Sequence, residues 1–318
     1  MEYRFFGKTG VRISQITLGT MTFGREADEK QSRQIMSKAL DIGINSFDTA
    51  NIYNRGVSEE IVGRFLASCR DDIFLATKVH FPVSEKPNDR GSSKLHILRS
   101  VEGSLKRLHT DRIDLLYLHH WDDNAALEES LSALDILVTQ GKILYGGVSN
   151  FSAWQVMKAL WVCDVKGFYP IVAIQPMYNL LKRQAEVEIL PMAHAENLAV
   201  LVYSPQAGGL LTGKYLRGAQ GRLDNNEMYK KRYSDPTYEG TVKKFVSYAE
   251  ESGKLPGALA IAWTISHPAV TSAIVGASTT EQFAESLTCL DYRLSDEERT
   301  KISSLSPEPP LATDREKT

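Results

Sequence analysis

Short apolar runs alternate with longer amphipathic segments along most of the chain. Eight runs have the length and the β-branched or aromatic content of buried strands; they lie at 16–18, 45–47, 74–78, 113–118, 143–148, 172–174, 200–203 and 272–275. Between them, apolar residues recur three or four positions apart, which is the period of an amphipathic helix. These helical segments are predicted at 28–40, 58–66, 92–108, 125–140, 153–163, 184–194, 239–252, 256–266 and 283–287.

Two further runs precede the first of these strands. Residues 3–6 and 11–14 alternate in polarity around the glycine-bounded turn at 7–10, which predicts a β-hairpin that acts as a lid. Ser58 is followed by two acidic residues, so we expect it to be the N-cap of the second helix.

Eight strand–helix units in one chain predict an α/β protein with a (β/α)8 TIM barrel and an N-terminal β-hairpin. The alternative is a doubly wound open sheet, but no GxGxxG or GxxxxGK[ST] turn follows a strand. The 318 residues suit one domain spanning 1–318. Residues 307–318 contain three prolines and a charged end, so we expect a mobile tail there.

Composition narrows the class of partner. The net charge is -2 and the pI is about 6.4, so neither nucleic acid nor a membrane surface is expected as a partner. Cys69, Cys163 and Cys289 lack ligand or disulfide spacing, so no metal site and no disulfide are predicted. The absence of an apolar leader or of a long apolar run favours a cytoplasmic protein. The oligomeric state is left open.

Polar or aromatic residues follow most of the predicted strands. In a barrel of this kind the carboxyl ends of the strands form one mouth, where active sites lie. The residues at those ends are Asp48, Lys78, His119, Ser149 with Asn150, Gln175, Tyr203 with Ser204, and the segment from Gly276 onward. The pattern therefore predicts a single site for a small molecule.

Several short segments, in order along nearly the whole chain, resemble the aldo-keto reductases. The segments are 18–21, 47–50 with Tyr53, 58–60, 77–78, 114–119, 141–143, 147–151, 175–176, 203–205 and 276–278. The resemblance implies hydride transfer between a nicotinamide cofactor and a carbonyl carbon. It identifies Asp48, Tyr53, Lys78 and His119 as the catalytic residues.

These residue types suit the implied reaction. Negative charge develops on the carbonyl oxygen, so a positioned acid must supply a proton, and Tyr53 is the expected donor. Before the cost of desolvation is subtracted, an ammonium at about 4 Å favours the phenolate by roughly 4 kcal/mol at an effective dielectric near 20, so we expect Lys78 to act to lower the pKa of Tyr53. Asp48 keeps Lys78 charged and aimed, and His119 hydrogen-bonds the carbonyl oxygen. The alternative, a structural Asp48–Lys78 ion pair, leaves His119 unexplained.

Two histidines follow the fourth barrel strand, and alternation along a strand directs their rings to opposite sides. The resemblance places the catalytic imidazole at His119. His120 is then expected to be packed or solvated.

The resemblance also implies a cofactor site. Ser149, Asn150 and Gln175 match positions that bind the nicotinamide carboxamide, Tyr203 matches the residue that stacks on the ring, and Lys214 lies in the loop that covers the pyrophosphate. The other basic residues of the insert 208–235 are expected on the solvated surface. The full set of predicted cofactor contacts is Gly19, Thr20, Met21, Asp48, Ser149, Asn150, Gln175, Tyr203, Ser204, Pro205, Gly209, Leu211, Lys214, Gly276, Ser278, Thr279, Gln282 and Glu285.

The adenosine end departs from the family pattern. Residues 276–282 contain no lysine or arginine for a 2′-phosphate, although Ser278 and Thr279 precede a helix N-terminus that suits phosphate. Members of the family usually use NADP(H), so the resemblance favours NADP(H), and NAD(H) is the alternative.

The sequence specifies the substrate and the direction of the reaction less closely than it specifies the catalytic residues. Phe23 and Trp121, with Phe81 as a third candidate, are expected to wall an apolar pocket for a small aldehyde or ketone. One alternative function is a cofactor-binding regulatory subunit, as in the family's potassium-channel-associated members, which lack the catalytic histidine. Another is alcohol oxidation, since microscopic reversibility gives both directions the same residues.

Overall fold

Eight parallel strands close into a barrel in the computed structural model, which describes residues 1–82, 84–311 and 313. The hairpin strands are β1 (Tyr3–Phe5) and β2 (Arg12–Ser14). The barrel strands are β3 (Ile16–Gly19), β4 (Ser46–Asp48), β5 (Phe74–Val79), β6 (Ile113–Leu118), β7 (Ile143–Ser149), β8 (Ile171–Gln175), β9 (Ala199–Val202) and β10 (Ser272–Val275). Neighbours in sequence are neighbours in the barrel, and β10 pairs with β3 to close it.

Helices connect the strands and cover the outside of the barrel. Within the described residues they are α1 (Glu29–Asp41), α2 (Val57–Leu66), α3 (Lys94–Arg107), α4 (Leu127–Thr139), α5 (Ala153–Lys166), α6 (Ile189–Ala195), α7 (Arg222–Asn225), α8 (Glu227–Arg232), α9 (Thr237–Glu251), α10 (Pro256–Ile265), α11 (Thr280–Leu287) and α12 (Asp296–Ser303). The predicted (β/α)8 barrel with an N-terminal hairpin is confirmed, and the open-sheet alternative is wrong.

The hairpin closes the end of the barrel opposite the candidate site. Phe6, which is fully buried, packs its ring 4.8 Å from that of Phe74 at the start of β5. Gly7 lies so close to the β8 and β9 ends that a Cβ there would come within 2.8 Å of the Asn197 oxygen. The predicted lid therefore lies at the amino ends of the strands and leaves only the other end open.

The predicted N-cap of the second helix is wrong. The α2 N-cap is Gly56, at φ 94°, and the Ser58 hydroxyl lies inside the helix, donating to the Thr20 carbonyl at 2.8 Å; a buried hydroxyl gains more from that bond than from capping an exposed turn. The insert 208–235 contains the short helices α7 and α8.

The structure describes only part of the predicted mobile tail. Residues 307–311 have neither helix nor strand, and the rest of the predicted mobile tail, at 312 and 314–318, lies outside the described residues. The single-domain assignment stays a prediction. No described helix is both long and apolar enough to cross a bilayer.

Candidate active site

Adjacent strands bring three of the predicted catalytic residues together at the open end. Asp48 ends β4, Lys78 lies one residue before the end of β5, and His119 follows β6, with its backbone N–H donating to the Val79 carbonyl at 3.0 Å. Tyr53 begins a short 3-10 turn just after β4, where Asn54 adopts a left-handed φ of 47°. That turn folds the tyrosine back over the mouth.

The Lys78 ammonium is the centre of the cluster. Its side chain is fully buried and forms an ion pair with Asp48. The same nitrogen donates to the Thr49 carbonyl at 2.7 Å and to the Tyr53 hydroxyl at 3.2 Å. These three bonds use all three ammonium protons, so the position and charge of Lys78 are fixed.

Asp48 is held from a second side by the far wall of the barrel. Its Oδ2 accepts from the Gln175 side-chain Nε2 at 2.8 Å. Asp48 and Gln175 are both almost fully buried. Gln175 uses its donor group here, so its Oε1 is the atom left for a ligand.

Burial controls the proton affinities of the cluster. It opposes the charge on Lys78, but Asp48 and Tyr53 outweigh it and raise the pKa of Lys78. Burial raises the pKa of the Tyr53 phenol above its ordinary value, although Lys78 acts in the opposite direction. Lys78 therefore acts on the pKa of Tyr53 in the expected direction, but the loss of solvation outweighs this one ammonium and the net change is a rise.

His119 faces the tyrosine. Its ring centroid lies 6.2 Å from that of Tyr53 and 5.0 Å from that of Phe81. Burial, and then the charge of Lys78, lower the pKa of His119 well below its ordinary value, so the imidazole is neutral at pH 7. Its Nδ1 is buried and has no hydrogen-bond partner among the described residues.

His120 has different surroundings, as strand alternation predicts. It is exposed, its Nδ1 hydrogen-bonds the Trp121 carbonyl at 2.7 Å, and its ring lies 5.6 Å from that of His80. Of the two histidines, His119 is therefore the one placed beside Tyr53.

The residues predicted for the nicotinamide end surround the same mouth. Asn150 donates to the His119 carbonyl at 2.9 Å and accepts from the Tyr203 hydroxyl at 2.6 Å. The Ser149 hydroxyl is buried and donates to the Gln175 carbonyl at 2.9 Å. The structure thus brings these four residues together, with Asn150 as the link between β6 and the tyrosine.

The first and last barrel strands end close together beside Asp48. A Cβ on Gly276 would lie 2.9 Å from the Gly19 oxygen, so the two backbones approach closely. The Thr20 hydroxyl donates to the Asp48 carbonyl at 3.1 Å, and Met21 packs partly buried against the main core. This part of the predicted cofactor set therefore reaches the mouth mainly through backbone.

The insert differs from its prediction at two arginines. Arg232 is half-buried, with its guanidinium 5.8 Å from the Tyr203 ring centroid and 5.2 Å from that of Tyr229. Arg222 stacks on the same Tyr229 ring at 5.1 Å. Both were expected in solvent. The aromatic residue at 229, which cations readily stack on, was the available signal.

Other predicted cofactor contacts lie in the insert or just before it. Lys214 is half-buried against the Tyr215 ring at 4.9 Å, and burial lowers the pKa of this lysine. Gly209 has φ 94°, and Leu211 is fully buried. Ser204 also has a positive φ, of 58°, and precedes the buried Pro205.

The adenosine-end segment forms the start of α11. Thr279 is the N-cap, and its side chain accepts from the Gln282 N–H at 3.2 Å. The Gln282 side chain in turn accepts from the Ser278 N–H at 3.2 Å. Glu285 is exposed one turn later. The local polar groups therefore bond one another, with no basic side chain in 276–287.

The predicted substrate walls differ in accessibility. Trp121 makes edge contacts with Phe151 at 5.3 Å and Trp154 at 5.5 Å. Phe81 is partly exposed beside His119. Phe23 is fully buried in the main core, so it offers no surface to a substrate in this structure and its assignment stays a prediction.

Comparison with known proteins identifies the family of the chain. The sequence model described as the aldo/keto reductase family matches residues 15–307. The uncharacterized oxidoreductase YrpG of Bacillus subtilis is 39% identical, over 97% of each chain. L-glyceraldehyde 3-phosphate reductase of Escherichia coli K12 is 33% identical, over 92% of this chain and 88% of its own. A probable voltage-gated potassium channel subunit beta of Oryza sativa is 36% identical, over 92% of each. The chain therefore belongs to the aldo/keto reductase family and is an oxidoreductase.

Proposed function

We propose that this protein reduces the carbonyl group of a small aldehyde or ketone with a nicotinamide cofactor, preferably NADPH. The observation that carries the proposal is the buried chain Asp48–Lys78–Tyr53, in which Lys78 reaches the phenol oxygen at 3.2 Å beside the neutral ring of His119. A phenol, an ammonium and an imidazole at one open mouth suit proton delivery to a developing alkoxide.

Tyr53 is the general acid. Its raised pKa keeps the phenol protonated at neutral pH, so the donor form predominates. When the proton leaves, the phenolate forms within hydrogen-bonding distance of an ammonium whose charge Asp48 maintains. Lys78 therefore favours the state after proton transfer more than the state before it, which is the requirement for catalysis.

His119 orients the substrate. Its pKa is well below its ordinary value, so it acts as a neutral hydrogen-bond donor and not as an acid. With the proton on Nε2, the buried Nδ1 is left as an acceptor with no partner among the described residues, and the Nε2–H would be available to the carbonyl oxygen.

The residues present fit a nicotinamide cofactor, which would supply the hydride to the carbonyl carbon. The free Oε1 of Gln175 suits the amide protons of the carboxamide, with Ser149 and Asn150 beside it. Tyr203 is held at its hydroxyl by Asn150 and offers a flat face to the ring. Lys214 and the backbone around Gly209 would hold the pyrophosphate.

The preference for NADPH depends on α11. The N-terminus of a helix favours phosphate through its dipole and its first N–H groups; here a phosphate would replace the Gln282 and Thr279 side chains, which accept from the Ser278 and Gln282 N–H groups. Fluorescence titration with NADPH and NADH measures the preference directly. Failure of both to bind would contradict the proposed cofactor chemistry.

The decisive experiment is Tyr53→Phe. We expect kcat for a reactive aldehyde to fall by about 10²–10⁴-fold, with cofactor affinity and the melting temperature unchanged. Tyr169→Phe, which removes an exposed phenol just before β8, is the matched control and should stay near wild-type turnover. Turnover of Tyr53→Phe within a few-fold of wild type would overturn the role of Tyr53.

The same residues serve alcohol oxidation, in which the Tyr53 phenolate accepts the proton. Among the relatives are probable channel subunits, but the placement of His119 beside Tyr53 supports turnover. A panel of aldehydes, ketones and alcohols, assayed in both directions, identifies the substrate class.

A further inference from the structure

Asn179 lies in the loop that follows β8 and is fully buried, and its side chain joins three segments of the chain. Its Nδ2 group donates to the Ser204 carbonyl at 2.9 Å and to the Tyr233 hydroxyl at 3.1 Å. Its Oδ1 accepts from the N–H groups of Leu181 and Lys182, both at 3.0 Å. Every donor and acceptor site of the amide is therefore used.

Only one orientation of the Asn179 amide fits these partners. Two backbone N–H groups face its oxygen, and a backbone carbonyl faces its nitrogen. Exchange of the two ends would set donors against donors and the oxygen against the Ser204 carbonyl. The oxygen therefore holds the turn at 179–182, and the nitrogen alone reaches the other two segments.

The Ser204 turn is the first of those segments. Ser204 has a φ of 58°, a left-handed conformation that costs free energy in a residue with a Cβ. Pro205 follows, and a residue before proline normally adopts an extended conformation. A turn with two such unfavourable features persists only where its surroundings hold it, and Asn179 holds its carbonyl.

This turn begins directly after Tyr203, so it helps to set the direction of that side chain. The Tyr203 N–H donates to the Pro176 carbonyl at 3.1 Å, and the Tyr203 carbonyl accepts from the Tyr178 N–H at 3.3 Å. The Tyr203 hydroxyl donates to Asn150 at 2.6 Å. With Asn179 on the following residue, the tyrosine is held at its backbone, at its hydroxyl and at the turn beyond it.

The third segment is the end of the insert 208–235. Tyr233 is buried there, and its hydroxyl donates to Met177 Sδ at 3.8 Å while it accepts from Asn179. The neighbouring Arg232 lies over the Tyr203 ring, 5.8 Å from its centroid. The insert therefore contacts both Tyr203 and the residue that supports the turn after it.

We propose that Asn179 is a positioning residue for Tyr203. Through the Ser204 carbonyl it maintains the left-handed turn, and the turn keeps the Tyr203 ring in the place where a nicotinamide would stack on it. This inference rests on the proposed function, in which Tyr203 offers its face to the cofactor. It assigns to Asn179 a share of the affinity for the nicotinamide end alone, since the pyrophosphate and the adenosine are expected at Lys214 and α11.

Asn179→Asp tests this role, because it keeps the oxygen that holds the turn at 179–182 and removes the donor to Ser204. Isothermal titration calorimetry should show about a tenfold rise in the Kd for NADPH, the effect of one lost buried hydrogen bond. The Kd for 2′-phospho-ADP-ribose, which is the cofactor without its nicotinamide, should change by less than about twofold. NADH and ADP-ribose replace this pair if the wild type prefers NADH. A merely structural role would lower the melting temperature and change both affinities alike.

Asn45→Asp is the matched control. Asn45 makes the same two kinds of bond at the closed end of the barrel, where its Oδ1 accepts from the Ser14 N–H at 2.8 Å and its Nδ2 donates to the Arg12 carbonyl at 3.0 Å. This variant should bind both ligands as the wild type does. Asn179→Ser, which adds no charge and is too short to reach Ser204 but still offers an oxygen to the turn, gives the same test if Asn179→Asp does not fold.

A double-mutant cycle tests whether Asn179 acts through the Tyr203 ring. In the Tyr203→Ala background, Asn179→Asp should change the Kd for NADPH by less than about twofold, because the group that it positions is gone. A further rise of about tenfold there, an equal loss of affinity for both ligands, or unchanged NADPH affinity in the folded Asn179 variants would overturn the inference. Failure of the wild type to bind either NADPH or NADH would contradict the proposed function itself, and this inference with it.

Discussion

Two consecutive residues of β5 belong to two different buried charge clusters. Lys78 points into the barrel, where it pairs with Asp48. Thr77 points outward, where its hydroxyl donates to Glu59 at 2.6 Å, and the Arg107 guanidinium donates to the same carboxylate at 2.8 Å. Each cluster joins one fully buried carboxylate to one cation, yet only the inner one contains a titratable group at the open mouth.

The difference shows that burial alone does not identify a catalytic carboxylate. Glu59 is enclosed by α2, β5 and α3, and a Cβ on the nearby Gly56 would come within 2.8 Å of Arg107. Nothing in that packing leaves space for a substrate. The inner cluster has a similar pair but adds Tyr53, held at 3.2 Å from Lys78. The presence of a proton donor beside the ion pair therefore distinguishes the candidate active site from the outer cluster.

Removal of the inner cation gives the largest expected effect. Lys78→Met should lower kcat by about 10³-fold or more, because the phenolate formed by Tyr53 loses its counter-charge. Part of any loss of stability reflects Asp48, left buried without its cation. The double variant Asp48→Asn/Lys78→Met separates the two effects: it should regain stability in chemical denaturation but not turnover. Recovery of turnover in the double variant would show that catalysis does not require the positive charge of Lys78.

The outer cluster should show the opposite response. Glu59→Gln should lower the free energy of unfolding by about 2–4 kcal/mol, because Arg107 loses its charged partner in a mostly buried site, while kcat changes by less than about threefold. Glu60→Gln, at the next and less buried position, is the matched control for urea denaturation. A fall in kcat of more than about threefold in folded Glu59→Gln would show that Glu59 contributes to catalysis through Thr77.

The smallest expected effect concerns the pH dependence of kcat, which reports the protonation states of Tyr53 and His119. Reduction requires the protonated phenol, so its rate falls only as pH rises through the raised pKa of Tyr53. Because the pKa of His119 is lowered well below 6.5, we expect no inflection near neutrality. The kcat profile of the wild type should be flat from about pH 7 to about pH 9. An ionisation near pH 6.5 would indicate that His119 acts as a charged acid.

Sequence predicted the barrel and the inner cluster because both depend on local patterns. Strand and helix periods determine the fold, and the residues at strand ends meet wherever a barrel closes. The stacking of Arg232 on Tyr203 depends on how the insert folds over the mouth, which no local period encodes. The net pKa of Tyr53 depends on solvent exclusion by several strands, which an estimate from one charge pair does not include.

The pairing of β3 with β10 constrains how the molecule is made. Thr17 and Ser272 join these strands through a 2.7 Å contact between their hydroxyls, 255 positions apart in sequence. The ring of strands therefore stays open until the last strand has been synthesised, and until then β3 and β9 present unpaired edges that favour association with other chains. Contacts between residues this far apart in sequence form slowly. We therefore expect closure of the barrel by β10 to be a late step of folding.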